Sequence, residues 1–239
     1  MARTLVVSQP MFLPWVGLFE QVRLADAFIH YDDVQLPQGR SFMSRVQLKS
    51  ANGISWLTVP IDHAKSGRLL NEVVLVKPEE WRDRHLRTIR HAYARRPYFD
   101  LMFELAQKIY SQPTDRLAEF NINATEWIAG SLGLAPRFIR SSTMGVAGAS
   151  TERLVALCEA TGCDVYVTGH GALKYLNHQT FEDRNISVRY MDYRKVPYEQ
   201  GHGEFTPYVS ILDAIANCGE RARDLLCSEA VYWRDFNAG

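Results

Sequence analysis

The stretch TLVVSQPMFLPWVGLFEQVRLADAFIHY, residues 4–31, decides how the rest of the chain is read. Thr4-Leu5-Val6-Val7 is a short apolar, β-branched run, so a buried strand is expected over Leu5–Ser8. From Trp15 to Ala25 the apolar residues Trp15, Leu18, Phe19, Val22 and Ala25 recur at helical spacing. Phe28 to Tyr31 is strand-like again. Strand, helix and strand in this order make a β-α-β unit, which lays two parallel strands under a crossover helix. The link between the first strand and the helix is unusual. A simple connection uses small polar residues, yet SQPMFLPW carries two prolines and several bulky apolar side chains. Pro10 and Pro14 fix φ and remove two backbone donors. The link is either a hydrophobic plug at the end of a sheet or a stiff functional loop, since functional residues favour loops on rigid scaffolds.

Outward from this unit, residues 32–53 are polar and punctuated by Gly and Pro, which suits a loop or an edge hairpin. Ile54–Pro60 and Glu72–Val76 are β-rich. Residues 78–133 hold three helical segments, the first opening on Pro78 and acidic residues as a helix start should. PRFIRSS is then a strand. STERLVALCEATG is a capped helix ending at Gly162. CDVYVTG and ISVRYMDY are strands, and SILDAIANCG is a helix with Ser210 and Asp213 at capping-box spacing. The expected fold is a single α/β domain over residues 1–239, an open, mostly parallel sheet with a helical insertion at 78–133. In such sheets ligands sit off the carboxyl ends of the strands at the topological switch point. Three special loops fall there: the opening stretch, Ser141 to Thr143, and TGHG at 168–171.

Length and composition narrow the classes. The 239 residues suffice for a sizeable core. Lys plus Arg and Asp plus Glu are 27 each, so the formal net charge is zero and the whole-molecule field favours neither nucleic acid nor membrane. No run reaches the length of a membrane span and no signal-peptide pattern opens the chain. The four cysteines have no C-x-x-C spacing, which reads as reduced thiols and a cytoplasmic address. No two histidines have metal-ligand spacing on one helix, so no structural zinc is expected.

The loops carry the chemistry. In TGHGALKYL, Gly169 and Gly171 allow close backbone approach, and Thr168, Lys174 and Tyr175 flank them. Lys174 would neutralise a phosphate or carboxylate, and His170 is placed for proton work. The plain alternative is a Gly-rich turn with a surface lysine. Asp32 and Asp33 follow the second strand, and alternation sends them to opposite sides. One of them would face the cleft and hold a hydroxyl, an amine or a hydrated magnesium ion, the other serving the turn. Arg40, Arg45 and Lys49 crowd the next segment; they suit phosphate or, equally, a solvated strand edge. The helix over 82–96 is Arg-rich, but Glu79, Glu80 and Asp83 offset it in sequence.

Taken in order, QPMFLPWVGLFEQV, DDVQ, SWLTVPI, RSST, STERLVALCEATG, YVTGHGALKYL, Tyr198-x-Gln200 and VSILDAIANCG resemble the WbqC-like family of bacterial proteins, from about residue 4 to 220. Two segments depart from the family pattern. Phe42 and Ser44-Arg45 stand where relatives carry a Trp and an Asn-Arg pair, so only Arg45 carries over there, and His170 replaces a proline or small residue. The resemblance implies a role in polysaccharide or O-antigen assembly, with acyl or aminoacyl transfer, glycine transfer among them, onto an amino sugar carried on a nucleotide. Its partners would be a sugar nucleotide and an acyl-carrier protein or aminoacyl donor, with no nucleic acid beyond a tRNA donor. The cofactor stays open between ATP with magnesium and an acyl carrier. A second likeness is to the layout of nucleotidylyltransferases, a HUP-like topology. Pro14-Trp15-Val16-Gly17 stands where their two histidines would sit, so ATP activation does not carry over.

Such a transfer needs a base, for which Asp32, Asp33 and His170 are the candidates. It needs oxyanion donors, either the N–H groups at 169–171 or Ser141 and Ser142. It needs cations for a diphosphate: Arg40, Arg45, Lys49 or Lys174. Phe12 or Trp15 would offer a flat platform, Gln9 a donor and acceptor, and Gly17 a close approach of the helix to a ligand. The expectation is that Gln9, Trp15, Asp32, Ser141, Gly169 and Lys174 converge on one cleft. Two other readings compete: a non-catalytic sugar-nucleotide or partner-binding module, and an adenylyl- or nucleotidyltransferase.

Overall fold

A computed structural model describes residues 2–39, 41–62 and 67–236. The opening unit folds as β1 (Thr4–Ser8), α1 (Val16–Leu24) and β2 (Ala27–His30). A hairpin follows, β3 (Arg45–Ser50) and β4 (Gly53–Thr58), forming its own two-stranded sheet. Three helices come next: α2 (Pro78–Tyr93), α3 (Phe99–Tyr110) and α4 (Leu117–Ser131). The chain then returns to the main sheet through β5 (Arg137–Arg140), α5 (Ser150–Thr161), β6 (Val165–Thr168), a short α6 (His178–Glu182) and β7 (Ser187–Asp192). It closes with α7 (Ile211–Cys218) and β8 (Glu229–Tyr232).

The main sheet has six strands in the order β5-β2-β1-β6-β7-β8. All pairs are parallel except β7 with β8. This is an open α/β sheet of the doubly wound kind. The chain winds outward from β1 through β2 to β5, then crosses back to β6 on the other side of β1. The switch point therefore lies between the carboxyl ends of β1 and β6, where such sheets bind ligands.

One apolar core runs from the sheet into the helical block. Val6 of β1, Phe19 of α1, Trp81 of α2, Phe120 of α4 and Ile211 of α7 belong to the same buried cluster. A second cluster, with Leu5, Ile29, Leu157 and Tyr166, fills the opposite face of the sheet under α5. Alternation along β1 sends Val6 to one side and Leu5 to the other.

This arrangement explains the bulky link after β1. The link is sandwiched between the sheet and the helices, so Phe12 and Leu13 are wholly buried. A buried loop must satisfy every backbone polar group. The Phe12 N–H donates to the Phe42 carbonyl, and Asn121 Nδ2 donates to the Pro10 carbonyl at 3.1 Å. The Ile211 N–H donates to the Pro14 carbonyl at 2.8 Å. The two prolines have no N–H that would otherwise need a partner.

Two local expectations are corrected. Glu72–Val76 is no strand: a single 3-10 turn covers Leu70–Glu72, and Val74 and Leu75 make isolated bridges to Arg116 and Ile61. Ser210 caps α7 through the Leu212 N–H, but Asp213 turns away from the cap and accepts from the Tyr198 hydroxyl at 2.8 Å. No helix among the described residues is long and apolar enough to cross a membrane.

Candidate functional site

A cavity of about 730 Å³ opens at the switch point. That volume lies in the range of small-molecule sites. Four strand ends supply its wall: Ser8 and Gln9 at the end of β1, Tyr31 and Asp33 after β2, Gly148 to Ser150 at the entry to α5, and Thr168, Gly169 and Gly171 at the end of β6. Gln21 of α1 and Tyr166 of β6 line its floor, with Tyr175 at its mouth.

Its charged centre is the pair Asp33 and Arg153. Arg153 Nη2 donates to Asp33 Oδ2, while Arg153 Nε donates to the Val146 carbonyl at 3.1 Å. The guanidinium lies 4.9 Å from the centre of the Tyr31 ring, a cation–π distance. Burial works to raise the Asp33 carboxyl, but hydrogen bonds from Arg153 and Ser141 and the charge of Arg153 outweigh it and hold it below the ordinary aspartate value. Asp33 is thus a carboxylate at neutral pH. The Arg153 guanidinium, resisted by burial but favoured by the Asp33 hydrogen bond, is held above its ordinary value and stays charged.

Asp32 has the opposite environment. It is 3 % exposed. Ser142 donates to it through its N–H at 3.0 Å and through its hydroxyl at 2.7 Å. Ser141 Oγ stands between the two acids, 3.1 Å from Asp32 Oδ1 and within hydrogen-bond reach of Asp33 Oδ1. Asp32 therefore braces the turn after β5 and, through Ser141, holds Asp33 in place.

The other electrostatic feature is the start of α5. Gly148, Ala149 and Ser150 line the cavity, and no side chain caps this helix. First-turn N–H groups without a cap, together with the helix dipole, make a place for an anion. Gly148 at φ +111° and Ser150 at φ +51° carry the chain through left-handed backbone to set that entry.

Of the residues singled out in sequence, Gln9, Asp33, Thr168, Gly169, Gly171 and Tyr175 line the cavity. Asp32, Ser141 and Ser142 stand just behind its wall. The expected convergence is partial, because Trp15 and Lys174 lie outside it. The Trp15 ring packs edge-on against Tyr193, with centroids 4.9 Å apart. It also covers Gly17: a Cβ there would sit 2.3 Å from Trp15 Cη2, so the glycine admits the indole rather than a ligand. Phe12 is no platform either; it stacks on Phe120 inside the core. Lys174 is exposed on the 3-10 turn after Gly169. His170 points its ring at Phe236, with Nε2 2.9 Å from the Met191 carbonyl, away from the cavity lining.

Three further residues join a different cluster. Lys49 is 3 % exposed and donates to Gln200 Oε1 at 3.0 Å and to the Gly203 carbonyl at 3.2 Å. Gln200 Nε2 donates to the Tyr198 hydroxyl at 2.9 Å, which donates in turn to Asp213. Arg45 stacks 3.9 Å over the Trp56 ring on the hairpin. Arg40 lies outside the described residues.

Arg153 and Tyr31 are the residues that sequence reasoning missed. A signal existed for Arg153: a cation within a turn of a helix N-terminus opposes the macrodipole, so it needs another reason to be there. The carboxylate of Asp33 and an anion are such reasons.

An open doubly wound sheet with a cavity of mixed polar and apolar lining at its switch point places the chain in the open α/β class. Within that class the chain belongs to the WbqC-like protein family, whose profile matches residues 9–225. It is 30% identical to the protein Rv1507c of Mycobacterium tuberculosis (strain ATCC 25618 / H37Rv) over 228 residues, 94% of this chain and 97% of that one. That relative is described as uncharacterized. No solved structure matches the chain significantly.

Proposed function

We propose that the cavity binds a nucleotide-linked amino sugar and that the protein transfers an acyl or aminoacyl group to the sugar amine. The observation that carries this reading is the Asp33–Arg153 pair beside the uncapped start of α5. One wall offers a cation and free N–H groups, which suit a diphosphate. The adjacent carboxylate suits an amine. Tyr31 and Tyr175 offer aromatic faces to a base or a sugar ring.

In the reaction the amine nitrogen attacks the acyl carbonyl, the C–N bond forms, and the bond to the donor's leaving group breaks. Asp33 holds the amine as it loses its proton, and the proton leaves with the departing group. The N–H groups of Gly169 and Gly171, two of the cavity-lining residues, would serve as donors to the oxyanion.

A second reading, non-catalytic binding of the same sugar nucleotide, draws on one observation. A carboxylate held below its ordinary pKa is a good partner for an ammonium but a weak base. Calorimetry with sugar nucleotides bearing a free amine or an N-acetyl group tests binding. Mass spectrometry after incubation with glycine and ATP, with aminoacyl-tRNA, or with acyl-carrier thioesters tests transfer. Amine-selective binding with an acylated product is expected. Binding without product from any donor leaves only the second reading. Absence of binding removes both.

A further inference from the structure

The Arg-rich helix α2 is unused by the cavity. Two depressions of about 560 and 450 Å³ share Arg87, His91 and Ala92, and so form one trough along its outer face. Arg84, Arg90 and Arg95 continue the basic wall. The turn of the β3–β4 hairpin, with Ser50 and Asn52, makes the facing wall. His202 joins from a loop whose Gly203 carbonyl is held by buried Lys49.

Among the described residues, no acid lines either depression. The acids that offset this helix in sequence sit at its start, and Glu80 there pairs with Lys77 at 2.8 Å. Among the described residues, no ion pair joins Arg84, Arg87, Arg90 or Arg95 to a carboxylate. In a chain of zero net charge this is a local separation of charge. Favourable placement near a helix C-terminus accounts for Arg90 and His91, but not for Arg84 and Arg87 further back.

We propose that this trough docks the phosphodiester backbone of a nucleic-acid strand. Arginine forks match phosphate. Arg84 and Arg90 are six residues apart on α2, roughly 9 Å at about 1.5 Å per residue, and Arg95 lies in the turn beyond the helix end, a span too long for one phosphate and suited to a succession of them. The trough is concave and, among the described residues, no large apolar side chain lines it, which disfavours a bilayer surface and an anchored protein partner. Among the described residues no Phe, Tyr or Trp lines it, and its two imidazoles, His91 and His202, are outnumbered by arginines, so contact is chiefly to phosphates rather than to stacked bases.

Fluorescence anisotropy with labelled oligonucleotides tests this, with single-stranded RNA, single-stranded DNA and duplexes as separate arms to show which source of the backbone is preferred. The expected result is binding in at least one arm, falling with salt at a log–log slope of about −3 if four phosphates are neutralised on a single strand. The exposed double variant Arg87→Gln/Arg95→Gln should weaken binding at least tenfold, and Arg87→Glu/Arg95→Glu should abolish it, with melting temperatures near wild type. Sugar-nucleotide binding at the cavity should be unchanged in both variants, which separates this proposal from the function proposed above. The proposal is overturned if no oligonucleotide binds, if the variants bind like wild type, or if polyglutamate or phosphatidylserine vesicles compete as well as nucleic acid at equal charge.

Discussion

Two polar clusters in this molecule use similar residues for opposite ends. The first, Asp32, Asp33, Ser141, Ser142 and Arg153, sits at the switch point and leaves Asp33 and Arg153 on a cavity wall. The second, Lys49, Gln200, Tyr198 and Asp213, joins the hairpin to α7 with Lys49 and Asp213 buried and Gln200 and Tyr198 partly so, and each polar head meets another. A charge at the rim of a cavity is available to a ligand. The same charge with all its partners inside the protein is a staple. Exposure of the last atom, not residue type, separates the two.

The largest test of this contrast is on the closed side. Asp213→Ala leaves the Tyr198 hydroxyl without its acceptor and takes one of two acceptors from the Asn217 amide, which keeps the carbonyl of residue 213 at 2.8 Å. Breaking a buried charged network should cost on the order of 3 kcal/mol or more, read as a lower urea midpoint, while cavity binding at low temperature persists. A cavity-like loss of ligand binding with unchanged stability would break the comparison.

Next is His85, also closed. Its Nε2 lies 3.1 Å from the Thr58 carbonyl and its Nδ1 3.1 Å from the Tyr110 hydroxyl, a neutral ring tying α2 to β4 and α3. Burial lowers its pKa from 6.5 to about 4. Below about pH 6.5 the unfolded chain takes up a proton that the folded one refuses, so stability falls with pH until about pH 4 and no further from this group. The full span is roughly 3 kcal/mol. Urea titrations across that window should show the slope in wild type and its loss in His85→Gln.

On the open side, Arg153→Met should weaken sugar-nucleotide binding at least tenfold, about 1.4 kcal/mol. Asp33→Asn should reduce preference for a free amine over an acetylated one. Calorimetry reads both. The smallest effect is expected at Lys174→Ala, which is exposed and off the cavity lining: binding within twofold of wild type. A large loss there would move the site's edge outward.

Much of the fold was legible because its signals are local. The β-α-β unit, the left-handed Gly162 that ends α5 and the Ser210 cap on α7 are written in neighbouring residues. The strand β8 was not, since EAVY is short, pairs at the antiparallel edge and is only partly buried, so it carries no clear alternation. The site was half legible. Asp33 and Gly169 follow from their places at strand ends. Lys49, Tyr198 and Gln200 look equally reactive in sequence; only packing against Asp213 shows them closed. Trp15 and Gly17 stand beside each other in sequence, yet that they fill each other's space is a matter of three dimensions.

Glu20 of α1 has a consequence for the order of assembly. Its carboxylate is wholly buried and accepts from the Cys227 and Ser228 N–H groups, both at 3.0 Å, and from the Ser228 hydroxyl at 2.6 Å. On a ribosome, α1 emerges some two hundred residues before those donors. Until they arrive, seating α1 in its final place would bury a carboxylate with Arg23 of the same helix, at 3.3 Å, as its remaining partner. The N-terminal unit that sets the topology is therefore among the last to lock, and nascent chains halted before Cys227 should remain protease-sensitive around α1 even when the helices α2 to α4 have already emerged.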